Sequence, residues 1–267
     1  MHLSSLYRYP LKSGSAEMLE EGSTDKLGLM GDRRWMVIDA ETGNFLTQRV
    51  LPQMALLQAR WRDDSVLQLE APGLEPLLVE VPDASQAERG AVIWRESIQV
   101  PDAGDCAGFW LTRLLGRPCR LVYLPATRGI QVDRDFARAG EQTSFSDGFP
   151  FLLIGQASLD DLSARVGRLF DMSRFRPNLV VAGADPYAED SWRRIRIGTI
   201  EFRVVKPCSR CIIPTIDPRT AERSADREPL ATLMTYRKRE GGVFFGQNLI
   251  AESTGHLRQG MSVEILE

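Results

Sequence analysis

Arg33-Arg34-Trp35-Met36-Val37-Ile38-Asp39 is the stretch on which the fold turns. Arg33, Trp35 and Val37 alternate with Arg34, Met36 and Ile38, the period of two expected of a β-strand, whose successive side chains leave on opposite faces. Gly28 and Gly31 stand before it, and Thr42-Gly43-Asn44 turns the chain afterwards into Phe45-Leu46-Thr47. Working outward, residues 55–70 read as a hairpin bent at Arg62-Asp63-Asp64-Ser65, and short strands are expected at 76–81, 92–99 and 119–124. Residues 105–115 read as a helix, with Asp105 as N-cap and Gly116 as stop. In the second half a strand is expected at 151–154. Ser158 and Asp161 then have capping-box spacing ahead of Leu162 and Val166. Strands follow at 179–181, on both sides of a turn at Gly198-Thr199, and near 243–250 and 261–266, while Pro229 opens a helix reaching about Arg239. Many short strands and few helices predict a mainly β protein with a β-barrel core. A boundary near residue 125, at Pro125-Ala126-Thr127-Arg128-Gly129, divides the chain into 1–125 and 126–267.

The 267 residues are 43% hydrophobic and carry a formal net charge of -3, so no global positive field draws the chain to nucleic acid or anionic lipid. Residues 1–20 include Arg8, Lys12 and Glu17 in place of the apolar core of a secretory signal, and no run is long enough for a membrane-spanning helix. The four cysteines, Cys106, Cys119, Cys208 and Cys211, are too few to staple such a chain, which points to reduced thiols and a cytoplasmic location. The two histidines, His2 at the terminus and His256 in a polar turn, leave Ser-His or Cys-His hydrolysis without a well-placed imidazole.

Five stretches can carry chemistry. Lys206 to Pro218 contains Cys208-Ser209-Arg210-Cys211, which has four readings: a structural zinc site, a thioredoxin-like redox pair, an ordinary turn, or one thiolate on a soft metal whose other ligands come from a cofactor. Zinc lacks two further ligands at suitable spacing, and Pro214 and Pro218 spoil the helix a redox pair would open. Lys206, Arg210 and backbone N–H groups would favour an ionised thiol. Tyr9-Pro10-Leu11-Lys12-Ser13-Gly14, after the first strand, offers a lysine and a hydroxyl for a phosphate, or is a plain strand exit. Arg33, on a strand face with Trp35 and Val37, either snorkels, pairs with Asp32 or Asp39, or meets an anion. In Phe175-Arg176-Pro177-Asn178 the proline pushes Arg176 towards extended backbone, from which Arg176 and Asn178 could grip a phosphate. Ser146 and Asp147, in the polar loop 145–150, could hydrogen-bond a ligand.

Taken in order, YPLKSG (9–14), GDRRWMVID (31–39), FLTQR (45–49), FSDGFPFLLIGQASL (145–159), FRPNLVVAG (175–183), YAEDSW (187–192) and CSRCIIPTIDP (208–218) resemble the MOSC-domain family, named for the C-terminal domain of molybdenum cofactor sulfurase. The branch it is most similar to is that of the mitochondrial amidoxime-reducing component and its bacterial relatives, which reduce N-hydroxylated compounds. The resemblance implies a MOSC β-barrel with an N-terminal β-rich subdomain, the first strand joining the barrel. It implies the molybdenum cofactor, a pyranopterin, with Cys211 as the metal thiolate and Lys12 and Ser13 on the phosphate. Arg33, Ser146, Arg176, Asn178, Ser209 and Arg210 would be further cofactor-binding residues, Asp147 a proton-handling or substrate-orienting group, and Cys208 a bystander to the metal.

Gly148, Phe149 and Pro214 depart from the family's hydroxyl-bearing residues, each removing a potential hydrogen bond at the pocket. The chain ends at Glu267 without the cysteines of an iron–sulfur domain, so electrons are expected from a separate flavin reductase or ferredoxin-like protein. The resemblance thus implies a reductase of amidoximes and N-hydroxylated bases. The alternatives are a carrier of the cofactor, or a sulfur-transfer protein, without reductase turnover.

Overall fold

The structure is a computed structural model that describes residues 1–83, 86–94 and 96–267. The strand Trp35–Asp39 is buried along its whole length because it lies between two apolar clusters. Trp35 and Val37 pack with Leu57, Leu67, Leu111 and Leu121, while Met36 and Ile38 pack with Ile93, Val100, Val122 and Phe145. It pairs antiparallel with Cys119–Tyr123, and the helix Asp105–Leu115 covers one side through Ala107, Trp110, Leu111 and Leu115. The hairpin Gln58–Asp63 and Val66–Glu70, extended by Leu77–Glu80, completes this part of the core.

The larger sheet has nine strands. Its path runs Glu17–Leu19, His2–Arg8, Leu179–Ala182, Phe151–Gly155, Gly242–Ala251, Ile200–Ser209, Arg194–Ile197, Val263–Ile265, with Lys238–Arg239 paired to the start of Gly242–Ala251. Phe151–Gly155 and Leu179–Ala182 are parallel, as their connection through the helix Gln156–Val166 allows. The strand His2–Arg8, second on this path, also meets its far end: His2 bridges Ser262, Leu3 N donates to Met261 O at 2.9 Å, and Val263 N donates to Met1 O at 3.0 Å. The first strand therefore belongs to this sheet, whose faces bury Leu3, Leu6, Phe151, Phe202 and Leu249 on one side and Tyr9, Ile154, Phe175 and Phe245 on the other. The protein is mainly β, and among the described residues no helix is long and apolar enough to cross a membrane.

Several expected elements come out differently, for local physical reasons. The helix at 105–115 and its Gly116 stop are as read, with Gly116 left-handed, but Gly104 occupies the cap and Asp105 instead pairs with Arg120. Residues 92–99 are not one strand. Glu88–Ile93 and Glu96–Pro101 form an antiparallel hairpin that folds back after Trp94, so their facing edges pair with each other in a two-stranded sheet. The second helix begins at Gln156, and Ser158 lies inside it, where its hydroxyl donates to the buried Glu189 rather than capping. The helix after Pro229 covers only Leu230–Tyr236, because the glycine turn at Gly241-Gly242 draws Lys238–Arg239 into a hairpin. His2 lies in the first strand and His256 in the strand His256–Arg258 beside Glu21.

Candidate functional site

The exit of the first strand is pinned into the core from several directions. Lys12 N donates to Trp35 O at 2.8 Å, Gly14 N to Leu11 O at 3.0 Å, and the buried Gln48 Nε2 to Ser13 O at 2.8 Å. This bends the chain so sharply that Ser13 sits at φ +64°. Arg33 is not in the strand as expected: it lies in the turn before it at φ +48°, where its N–H donates to Tyr9 O at 2.7 Å. Arg176 is not extended either. It closes the one-turn helix Met172–Phe175 at φ +58°, because a turn of this kind ends on a left-handed residue that returns its N–H to the helix, here to Ser173 O at 3.1 Å. Proline restricts the right-handed region for its predecessor and leaves this one accessible.

These bends converge on one cavity of about 290 Å³. Among the described residues, seven other than glycine have positive φ, and four of them, Ser13, Arg33, Trp94 and Arg176, line it. Such backbone costs roughly 1–3 kcal/mol per residue and persists where the surroundings enforce it. All ten residues singled out from the sequence line the cavity: Lys12, Ser13, Arg33, Ser146, Asp147, Arg176, Asn178, Ser209, Arg210 and Cys211. Arg49, Trp94, Phe149, Lys206 and Asn248 line it as well. Of these, Arg49, Trp94 and Asn248 were not singled out. Arg49 closes the FLTQR stretch, and the signal for Trp94 was a large aromatic in the turn of a polar hairpin. Of the three departures, Phe149 is on the cavity wall. Gly148, at φ +135°, is next to it, and Pro214 is buried in the turn Ile213–Thr215 and does not line the cavity, so a hydroxyl there would not reach a ligand.

The charges are stacked in a definite way. Lys12, 4% exposed, donates to Phe145 O at 2.8 Å and to Asp147 Oδ1 at 2.5 Å, while Arg49 lies 3.5 Å from Asp147 Oδ2. Burial lowers the Lys12 pKa and Asp147 opposes part of the fall. Burial works to raise Asp147, but Lys12, Arg49 and Arg33 outweigh it and hold the carboxyl well below the usual carboxylate range. Asp147 is thus ionised at neutral pH, which suits orienting a ligand and leaves it no proton to give. Its side chain is 57% exposed to solvent in the cavity, so this pairing is screened and adds little stability. Arg33 Nη1 pairs with buried Asp32 at 2.5 Å, and its Nη2 donates to Arg176 O at 3.0 Å. The guanidiniums of Arg33 and Arg176 lie 4.6 Å and 4.3 Å from the centre of the Tyr9 ring. Burial, with Arg33 nearby, brings Arg176 down to about 10, still cationic at neutral pH.

On the opposite strand end, Ile200–Ser209 carries Cys208 and Ser209 to the cavity, and Arg210 and Cys211 follow. Arg210 Nη1 donates to Cys208 Sγ at 2.9 Å and Nη2 to Phe175 O at 2.6 Å. Cys208 and Cys211 are free and partly exposed. Asn178 is used structurally on both sides: Nδ2 donates to Tyr7 O at 3.2 Å, and Oδ1 accepts from Leu152 N at 3.3 Å. Ser146 Oγ is shared with Thr143 Oγ1 at 2.7 Å. Two buried donors on lining residues, Arg176 Nη2 and Arg210 Nε, have no partner among the described residues, and a buried orphan of this kind costs roughly 1–3 kcal/mol. Among the described residues six cationic side chains and one carboxylate line the cavity, and two orphaned donors add to the demand for an anionic, acceptor-rich ligand. Among the described residues no group of three or more His, Cys, Asp or Glu side chains is placed to hold a metal ion, so a metal at Cys211 would need other ligands from a bound group.

A mainly β fold with this cationic, thiol-bearing cavity is that of a MOSC protein: residues 1–118 match the MOSC N-terminal beta barrel domain and residues 140–264 the MOSC domain. The chain belongs to the MOSC-domain family. It is 34% identical to mitochondrial amidoxime-reducing component 1 of Mus musculus and of Homo sapiens, over 99% of this chain and 82% of each of those proteins. It is also 29% identical to molybdenum cofactor sulfurase of Oryza sativa subsp. japonica, over 92% of this chain and 32% of that one.

Proposed function

We propose that this protein is a molybdenum-cofactor-dependent reductase that removes oxygen from N-hydroxylated compounds such as amidoximes and N-hydroxylated bases. The observation that carries the reading is the presence of Cys211 on the wall of the same cavity as Lys12, Arg33 and Arg176. A thiol suited to a soft metal therefore faces a cationic cradle suited to a phosphate. The orphaned donors of Arg176 and Arg210 fit such a group, because each would gain the acceptor it lacks.

When bound, the cofactor would supply two-electron oxygen-atom chemistry at molybdenum, which no side chain here can perform. The chain's contribution is grip and orientation. Lys12, Ser13, Arg33 and Arg176 would hold the phosphate end, each on backbone that the surrounding hydrogen bonds lock in place. Cys211 would bind the metal, with Ser209 and Arg210 beside it and Cys208 engaged by Arg210. Asp147 would hold Lys12 in position and orient the polar head of the substrate. Ser146 and Asn178 support the loop and strand that carry these groups. A separate flavin reductase or ferredoxin-like protein would deliver the electrons. Four free cysteines agree with a reducing compartment such as the cytoplasm.

The test is metal and pterin analysis of protein made in a cofactor-competent host, with benzamidoxime turnover under a chemical reductant. Molybdenum should be close to stoichiometric in the parent. In Cys211→Ala molybdenum and turnover should be lost, with pterin partly retained through the phosphate contacts. A parent that carries molybdenum without turnover would make it a cofactor carrier instead. A parent without molybdenum but with sulfur bound to Cys208 or Cys211 would make it a sulfur-transfer protein.

A further inference from the structure

We propose that Trp94 is the platform on which the planar part of the substrate stacks, selecting aromatic N-hydroxylated compounds over small aliphatic ones; this rests on the reductase reading above. Trp94 lines the cavity that carries Cys211 and is 50% exposed, whereas Phe175 on the same wall is fully buried and Phe149 is held edge-on by Phe136 at 6.0 Å. It is thus the lining aromatic with the most open surface.

Its position is held rather than loose. The Phe45 ring lies 5.0 Å away at 58°, the Arg49 guanidinium 5.0 Å away, and the Lys12 ammonium 5.6 Å away. Its backbone is equally telling. Trp94 follows Glu88–Ile93 at the tip of the hairpin with φ +55°, a conformation that glycine or asparagine adopts without strain and a bulky side chain adopts against it. A tip that keeps an indole here forgoes local backbone ease and exposes a large apolar ring, which is consistent with a ring used for contact. The flat faces of aryl amidoximes and N-hydroxylated bases match an indole. Hydroxylamine and alkyl hydroxylamines have no such face.

The experiment uses the cofactor-loaded protein and its Trp94→Ala, Trp94→Phe and Trp94→Leu variants, with N-hydroxycytosine and hydroxylamine as competing probes. Stacking of a base on an aromatic side chain is worth roughly five- to hundred-fold in binding. In W94A the ratio of kcat/KM for N-hydroxycytosine to that for hydroxylamine should fall about ten-fold, carried mainly by KM for the planar compound. W94F should restore most of the ratio and W94L should not. An unchanged ratio in W94A, or W94L performing as well as W94F, overturns the platform and leaves the reductase reading standing. A wild type that reduces neither probe overturns the reductase reading. Calorimetric binding of N-hydroxycytosine then decides the platform: about ten-fold weaker binding in W94A supports it, and equal binding in W94A and wild type overturns it.

Discussion

Asp32→Asn strands one charge directly beneath the cavity. Asp32 is 2% exposed; its Oδ1 accepts the Tyr9 N–H at 2.8 Å and its Oδ2 pairs with Arg33 Nη1 at 2.5 Å. Asparagine keeps an oxygen for Tyr9, so the principal loss is the counter-ion of Arg33. Removing one partner of a buried pair costs roughly 3–5 kcal/mol, since the remaining charge stays buried without compensation. Arg33 retains the Arg176 carbonyl at 3.0 Å and the Tyr9 ring at 4.6 Å, which places the expected loss at the lower end, about 3 kcal/mol. At roughly 2–4 °C per kcal/mol for a chain of this size, Tm should drop by about 6–12 °C. Asp32→Asn combined with Arg33→Met removes the stranded charge and should recover more than half of that loss. Thermal unfolding followed by circular dichroism and tryptophan fluorescence reads both variants. A drop below about 2 °C, on the same scale of Tm per kcal/mol, would refute the reasoning by showing a pair that behaves as if solvated. A double variant no more stable than the single would refute it too.

Two other predictions follow from groups around the core and the cavity. Asp39 accepts from Thr42 N at 2.9 Å, Thr42 Oγ1 at 3.0 Å and Glu41 N at 3.1 Å and pairs with Arg117; the Thr42 N–H leads the causes that lower its carboxyl to about 2. A carboxylate with a depressed folded pKa stabilises above its unfolded value and loses that contribution as pH falls towards the folded one. The Tm gap between wild type and Asp39→Asn should accordingly be constant above about pH 4 and close between about pH 4 and pH 2, and a gap that is flat across pH 5 to 3 counts against it. Lys12→Met should weaken pyrophosphate binding by the protein about ten-fold in calorimetry and reduce its salt dependence, as loss of one buried charge-assisted contact requires. An unchanged Kd would show that Lys12 serves Asp147 alone.

Much of the local structure was legible because it depends on residues close in the chain. The helix Asp105–Leu115 ends at Gly116 because glycine takes the left-handed cap without a Cβ clash, and the hairpin Gln58–Asp63 with Val66–Glu70 turns where polar residues cluster. The differences have separate causes. Arg33 and Arg176 read as extended backbone from their neighbours, yet both sit at positive φ: Arg33 because the distant Tyr9 O holds its N–H, and Arg176 because the short turn Met172–Phe175 just before it closes on a left-handed residue. Ser158 has cap spacing, but a buried Glu189 thirty-one residues away claims its hydroxyl. Trp94 went unread because an aromatic in a polar turn looks like strand from its own neighbours.

Composition, alternation and the ordered motifs were enough to establish by themselves a mainly β chain of the MOSC family and the residue types around its pocket, since periodicity and short-range turn chemistry are written in neighbouring residues. That ten residues spread from Lys12 to Cys211 line one cavity was decided only by the tertiary structure. So were the pairing of Lys12 with Asp147, the neighbouring cations that keep Asp147 ionised against its own desolvation, and the donors left unpartnered on Arg176 and Arg210. Those properties depend on distance and on exclusion of water between groups more than a hundred residues apart, and neither quantity exists until the strands His2–Arg8 and Ile200–Ser209 enter the same sheet.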